Sequence, residues 1–284
     1  MLRICVSFAI ALALPLGAQQ REATIDQARL QYEKTNYSEA LRLLEASPAR
    51  NAEAWNLIGR AQYMLGKYKQ ATESFEKATK LDPKGSTHFH WLGRTYGRRA
   101  ELSSFFSAPG YASKARQNFE RAVELNPRNS EAVNDLFEYY LQAPGFLGGG
   151  LEKAQGLIAK IESIDPAEKH YALARLAEQK KDLRTAEAQL RRAVEVAPRQ
   201  IGRIVDLAKF LAKQGRTQES DKVFAQAKSV DPEDPTYLFS RATTLIDQKR
   251  NLPEAKQLLE RYLAKSLVPE QDNKEEARKL LAKL

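Results

Sequence analysis

Five basic residues recur directly after a small one along this chain. Arg29 follows Ala28, Arg60 follows Gly59, Arg94 follows Gly93, Arg175 follows Ala174 and Lys209 follows Ala208. Glu138 and Thr243 hold the same place in two further segments and interrupt the series. Residues three or four positions away share a helical face with these cations, and they are Tyr32, Asn56, Tyr63, His90 and Arg98. A guanidinium offers a carboxylate a two-pronged, charge-assisted hydrogen bond, and the interleaved aromatic and amide groups add stacking and hydrogen bonding. The chemistry on offer is recognition of a ligand that carries carboxylates. The bland alternative is a solvated basic face paired with Glu22, Glu33 and Glu53.

Bond-making chemistry finds no equivalent set. His88 and His90 are two apart on an expected helix and point in different directions, whereas helical metal ligands need spacings of three or four. His170 stands alone. Cys5 is the one cysteine, no G-x-S-x-G elbow occurs, and the carboxylates Glu131, Asp135 and Glu138 follow ordinary helical surface spacing. Gly148-Gly149-Gly150 precedes a helix start but lacks the Lys-Ser/Thr of a phosphate-binding loop, and Glu152 would repel an anion. These glycines read as a flexible turn. No catalytic residue, no metal site and no cofactor is expected.

The elements that position the cations are repeated. Asp82-Pro83, Asn126-Pro127, Asp165-Pro166, Ala197-Pro198 and Asp231-Pro232 each end an apolar-periodic segment, at spacings of 44, 39, 32 and 34 residues. A proline cannot continue a helix and pushes the residue before it out of helical geometry. Upstream of the first lie Ala71, Phe75, Ala78 and Leu81, and later copies read Ala115, Phe119, Ala122, Leu125 and Ala186, Leu190, Ala193, Val196. Spacings of three and four place such residues on one helical face. A second helix precedes each, marked by Trp55, Ile58 and Gly59 in one copy and Leu92, Gly93 and Tyr96 in the next.

The unit W-x2-I-G, A-x3-F, A-x2-L-D-P resembles the tetratricopeptide repeat, a helix-turn-helix of about 34 residues. Trp55, Gly59, Tyr68, Ala71, Phe75, Ala78 and Pro83 carry the resemblance most fully. It implies an all-α fold, an α-solenoid of about seven such units in a right-handed superhelix. The units fall near 21–51, 52–85, 86–129, 130–166, 167–200, 201–234 and 235–267, followed by a C-terminal capping helix over 268–284. The resemblance also implies that the first helices line a concave groove for extended peptides. Arg29, Tyr32, Asn56, Arg60, Tyr63, His90, Arg94, Arg98, Arg175 and Lys209 would face it.

Two units break the pattern. Gly93 to Ala115 spans 22 residues where Gly59 to Ala71 spans 12, and Phe137 to Ala154 spans 17. Insertions in adjacent repeats of a solenoid collect on one edge. Both carry an Ala-Pro-Gly-aromatic run, Ala108 to Tyr111 and Ala143 to Phe146. Phe105, Phe106, Tyr111, Phe146 and Leu147 either bury against one another or form a second docking site.

The chain has 284 residues, a formal net charge of +9 and 29% charged residues. Arg3, the apolar stretch Ile4 to Leu16 and the small pair Gly17-Ala18 read as a secretory signal over 1–18. The apolar stretch is short for a membrane span, which needs roughly 17–25 residues. Removing 1–18 removes Cys5 and leaves no thiol and no membrane span. The expected protein is a periplasmic or secreted scaffold for protein or peptide partners, acidic ones included. The alternatives are a self-associating structural protein of the envelope, hence a homo-oligomer, and a peripheral binder of anionic lipid or wall polymer. Nucleic acid is not an expected partner behind a signal segment.

Overall fold

The structure, a computed structural model, describes residues 16–46, 50–269 and 273–284. The expected leader up to residue 15, with Arg3 and Cys5, lies outside the described residues, as do Glu270 and Asp272 of the tail.

Among the described residues the chain is helical throughout. Helix pairs follow in order: α1 (Leu16–Glu33) with α2 (Tyr37–Glu45), α3 (Ala52–Met64) with α4 (Tyr68–Leu81), and α5 (Ser86–Glu101) with α6 (Ala108–Leu125). Next, α7 (Ser130–Gln142) pairs with a helix broken at Leu157 into α8 (Leu151–Gly156) and α9 (Ile158–Ile164). Then come α10 (Pro166–Gln179) with α11 (Leu183–Val196), α12 (Ile201–Lys213) with α13 (Thr217–Val230), and α14 (Pro235–Asp247) with α15 (Leu252–Leu263), ending in α16 (Lys274–Leu281). Each helix packs on its partner and on the next pair, which makes the chain an α-solenoid. No described helix is long and apolar enough to cross a membrane.

The small-and-bulky alternation explains the packing. Ala71, Phe75 and Ala78 are fully buried, as are Ala115, Ala122, Ala186, Ala193 and Ala227 or very nearly so. A Cβ added to Gly59 would lie 2.7 Å from the Phe75 ring, and one on Gly93 would lie 2.7 Å from Phe119. The small residue is the socket for the ring of the second helix. The last position of the pattern behaves differently, because Leu81 and Val196 are exposed at the helix ends. At α16, Leu280 and Leu281 pack on the last pair while Leu284 remains exposed.

The tight turns share one backbone feature. Thr35, Gly66, Lys181, Gly215 and Lys249, one per unit outside the two long units, all have φ between 50° and 73°. Only glycine adopts that left-handed geometry without a Cβ clash. Lys181→Gly and Lys249→Gly should therefore each raise stability, by about 1 kcal/mol, read as a shifted denaturant midpoint. A loss of stability in both would show that the lysine side chains contribute more than the strain costs.

The two insertions are absorbed differently. In the third unit both helices lengthen, so only 102–107 remain between them and Ala108-Pro109-Gly110-Tyr111 starts α6 instead of forming a loop. Pro109 sits in the first turn, where its missing N–H has no intrahelical partner to lose. In the fourth unit Pro144 instead holds Ala143 extended (ψ 140°), and Gly145–Leu147 make one 3-10 turn. The triple glycine that follows is not a loose turn. Gly149 N–H donates to Pro144 O at 3.2 Å and Gly150 N–H to Tyr140 O at 2.8 Å. A Cβ on Gly149 would fall 1.8 Å from Ala143 O, so close approach requires glycine there, while Gly148 (φ 85°) and Gly150 (φ 151°) hold a backbone geometry that favours glycine.

Candidate binding groove and edge pocket

The first helices of units one to four bring most of the selected residues together. Tyr32 is buried, and the Arg60 guanidinium lies 4.5 Å from its ring and 5.0 Å from that of Trp91. Arg94 also approaches the indole ring system, 4.5 Å from Trp91, and lies 5.8 Å from Tyr63. Tyr63 meets Trp91 edge-on at 5.4 Å. The result is an alternating ladder, Tyr32, Arg60, Trp91, Arg94, Tyr63, in which planar cations face aromatic rings. Burial raises the Tyr63 hydroxyl above its ordinary value, with Arg94 opposing the shift, so it stays a neutral donor. Trp91 was not among the residues selected from sequence. Its place three residues before Arg94 on the same helical face is the signal that marks it.

The groove is less basic than the cation series suggests. On α7, Glu131, Asp135 and Glu138 form an acidic stripe between basic neighbours. His90 is fully buried, with Nε2 2.8 Å from Asp135 Oδ2 and Nδ1 3.6 Å from Glu131. Arg94 reaches the same Asp135 at 3.6 Å, and Arg175 binds Glu138 at 2.9 Å. Arg29 pairs with Asp26 at 2.9 Å and with Glu53, and Arg98 with Glu101. Counting one position per unit gave five cations. Stacking the units sets carboxylates of the same or an adjacent unit beside at least three of them, Arg29, Arg94 and Arg175, and such exposed pairs contribute little stability. Asn56 is buried, and its amide nitrogen has no partner among the described residues. Lys209 is exposed at a separate small hollow with Tyr171, Arg175 and Asp206.

Two cavities open on this face. One, of about 420 Å³, lies between Tyr63, Trp91, Arg94 and Asp135, and Pro269 and Asn273 ahead of α16 close its far side. The other, of about 410 Å³, has Gly97, Ala112, Ala115, Phe119, Pro144 and Leu147 as apolar walls. Tyr63, Arg94, Arg98, Asp135 and Glu138 also line it. The groove set and the loop-edge set therefore meet here, through Leu147.

The other loop-edge residues separate. Tyr111 is half-buried, stacked on Tyr96 at 6.1 Å, with its hydroxyl receiving a 2.6 Å bond from Arg99. Phe105, Phe106 and Phe146 are 86%, 92% and 82% exposed. Mutual burial of these rings is therefore not what the structure shows. The second insertion packs on α6 instead, since a Cβ on Gly148 would meet the Arg116 side chain at 2.7 Å.

Comparison with known proteins agrees with this architecture. Residues 52–84 and 167–200 each match the tetratricopeptide repeat. A tetratricopeptide repeat protein of Parabacteroides merdae superposes with a TM-score of 0.60 at 18% identity, over 93% of this chain and 98% of that one. A thermophilic tetratricopeptide protein of Thermus thermophilus gives 0.55 at 23% identity, over 67% and 98%. Among curated proteins, the BBSome complex member BBS4 homolog of Drosophila melanogaster is 26% identical over 177 residues, 49% of this chain and 35% of that protein. The chain thus spans about a third of that relative's length. This chain therefore contains tetratricopeptide repeats at 52–84 and 167–200 and shares the fold of proteins built from them. Repeats of this kind build scaffolds for protein–protein interaction, and proteins made of them are in general not catalysts.

Proposed function

We propose that this chain is a non-catalytic scaffold that works outside the cytoplasm and holds protein or peptide partners in the concave groove of its first four units. The observation that carries the reading is the Tyr32-Arg60-Trp91-Arg94-Tyr63 ladder beside two open cavities. It offers flat cations and ring edges over a surface long enough for an extended segment. Because Asp135 and Glu138 lie across from Arg94 and Arg98, the best ligand is a segment of alternating charge with apolar anchors; an acidic one matches less well. The charged start, apolar run and small-residue exit of residues 1–18 support export. Binding to anionic lipid or polymer rests on net charge alone.

The test is capture from the protein's own cell-envelope extract, with mature chain as bait beside Arg29→Glu/Arg60→Glu/Arg94→Glu and a variant shortened across 102–111. All baits are first matched for helicity and melting. The charge variant should lose its specific partner by roughly tenfold or more in affinity, while the shortened variant keeps it. Retention by the charge variant removes the groove from the reading. Fractionation of cells expressing the chain with and without 1–18 checks the compartment.

A further inference from the structure

The edge of the third and fourth units carries two unmatched features side by side. The first is a hole, the 410 Å³ pocket in which ordinary repeat residues such as Ala115, Phe119 and Tyr139 are joined by residues that an ordinary repeat lacks: Ala100 and Glu101 in the extended end of α5, and Pro144 and Leu147 of the second insertion. Gly97 forms part of its wall. A Cβ there would meet nothing within 4 Å, so no neighbouring side chain requires glycine. A glycine inside a helix is otherwise unfavourable, and here its bare surface leaves the pocket open.

The second feature is a knob. Phe105 and Phe106 stand edge to face at 5.8 Å, almost wholly in solvent, in the six residues joining α5 to α6. Their turn is tied by Ser107 N–H and Ala108 N–H to Ser104 O, each at 3.0 Å, which holds the rings out from the surface. The hole needs an apolar occupant, because Arg94, Arg98 and Glu138 at its rim are already engaged with Asp135, Glu101 and Arg175. The knob needs an apolar cover of this kind.

A hole and a knob on one patch are self-complementary under a two-fold axis, the commonest symmetry of paired chains. We propose that two copies of this chain pair through this edge, the Phe105–Phe106 knob of each entering the pocket between α5 and α7 of the other. The pairing does not rest on the groove's having a ligand. It does share Arg94 and Arg98 with the groove, so a ligand seated over them competes with it.

Sedimentation equilibrium of the full chain across a wide concentration range tests this, with Phe105→Ser/Phe106→Ser to remove the knob and Gly97→Leu to fill the hole. Gly97→Ala, which adds one methyl, controls for folding. Wild type and Gly97→Ala should associate, and each of the other variants should do so at least roughly tenfold more weakly. Mixing the two weak variants should restore association, because the mixed pair keeps one knob facing one open hole. Monomeric wild type, wild-type association in either variant, or no gain on mixing overturns the proposal. If wild type stays monomeric while N-acetyl-phenylalaninamide still enters the pocket, the pocket serves another protein's side chain and self-pairing is overturned.

Discussion

Phe75→Ala should cost about 3–5 kcal/mol of stability, the largest loss expected from any single apolar truncation in the first half of the array. The ring is fully buried, seats against bare Gly59, and lies nearly parallel to Trp91 at 6.2 Å with 16° between planes. It therefore joins the second unit to the third, and its removal opens a cavity that rigid helix pairs cannot collapse. In a solenoid each repeat leans only on its neighbours, so the damage should stay local. Trp55 and Trp91, the two tryptophans, both lie in these units, which makes indole fluorescence a local reporter. Urea unfolding followed by fluorescence should shift further toward low denaturant than the same unfolding followed by helicity. A shift worth less than about 1 kcal/mol would mean that Phe75 is not the joint between these units.

Arg203→Met should cost a comparable amount, about 3–5 kcal/mol near neutral pH, for an electrostatic reason. The Arg203 side chain is only 13% exposed; it pairs with Glu168, 15% exposed, and reaches Asp206 at 3.1 Å. Burial raises both carboxyl groups above their ordinary values, and Arg203 opposes the rise in each. Without the guanidinium two ionised groups would remain buried and unpaired.

The sign in pH follows from linkage. A carboxyl whose folded value is raised binds its proton more tightly folded than unfolded. Its favourable contribution is complete below the unfolded value of about 4 and is lost as pH rises through the folded value. In Arg203→Met both values rise further, so the deficit should shrink steadily from pH 7 toward pH 4. Melting temperatures of variant and wild type across that range measure it. A pH-independent deficit would assign the loss to the contact of Arg203 with the Tyr171 ring at 4.9 Å. The double change Arg203→Met/Glu168→Gln should recover part of the loss at pH 7.

Much of the groove was legible before folding was considered. Arg60, Arg94, Tyr32 and Tyr63 share a face by helical spacing, and the structure places them in one ladder. What the one-position-per-unit count missed was the acidic stripe of α7. Asp135 is 45 residues from His90 and 41 from Arg94, and nothing local links them. The edge was harder. The two Ala-Pro-Gly-aromatic runs look alike, yet Pro109 starts a helix and Pro144 stops one. The difference lies in the following residues, Ala112 to Lys114 in one case and three glycines in the other, and in whether the preceding turn can close.

The sequence by itself determined the repeat, its period, and which residues turn inward, because spacings of three and four with alternating small and bulky residues describe packing between neighbours a few tens of residues apart. Tertiary structure decided which charges meet, that Tyr111 is stacked while Phe105, Phe106 and Phe146 stand in solvent, and that groove and edge share one pocket. Those outcomes depend on how successive units are stacked, a rotation and rise set by side chains from several helices at once, and no single helix's periodicity contains it.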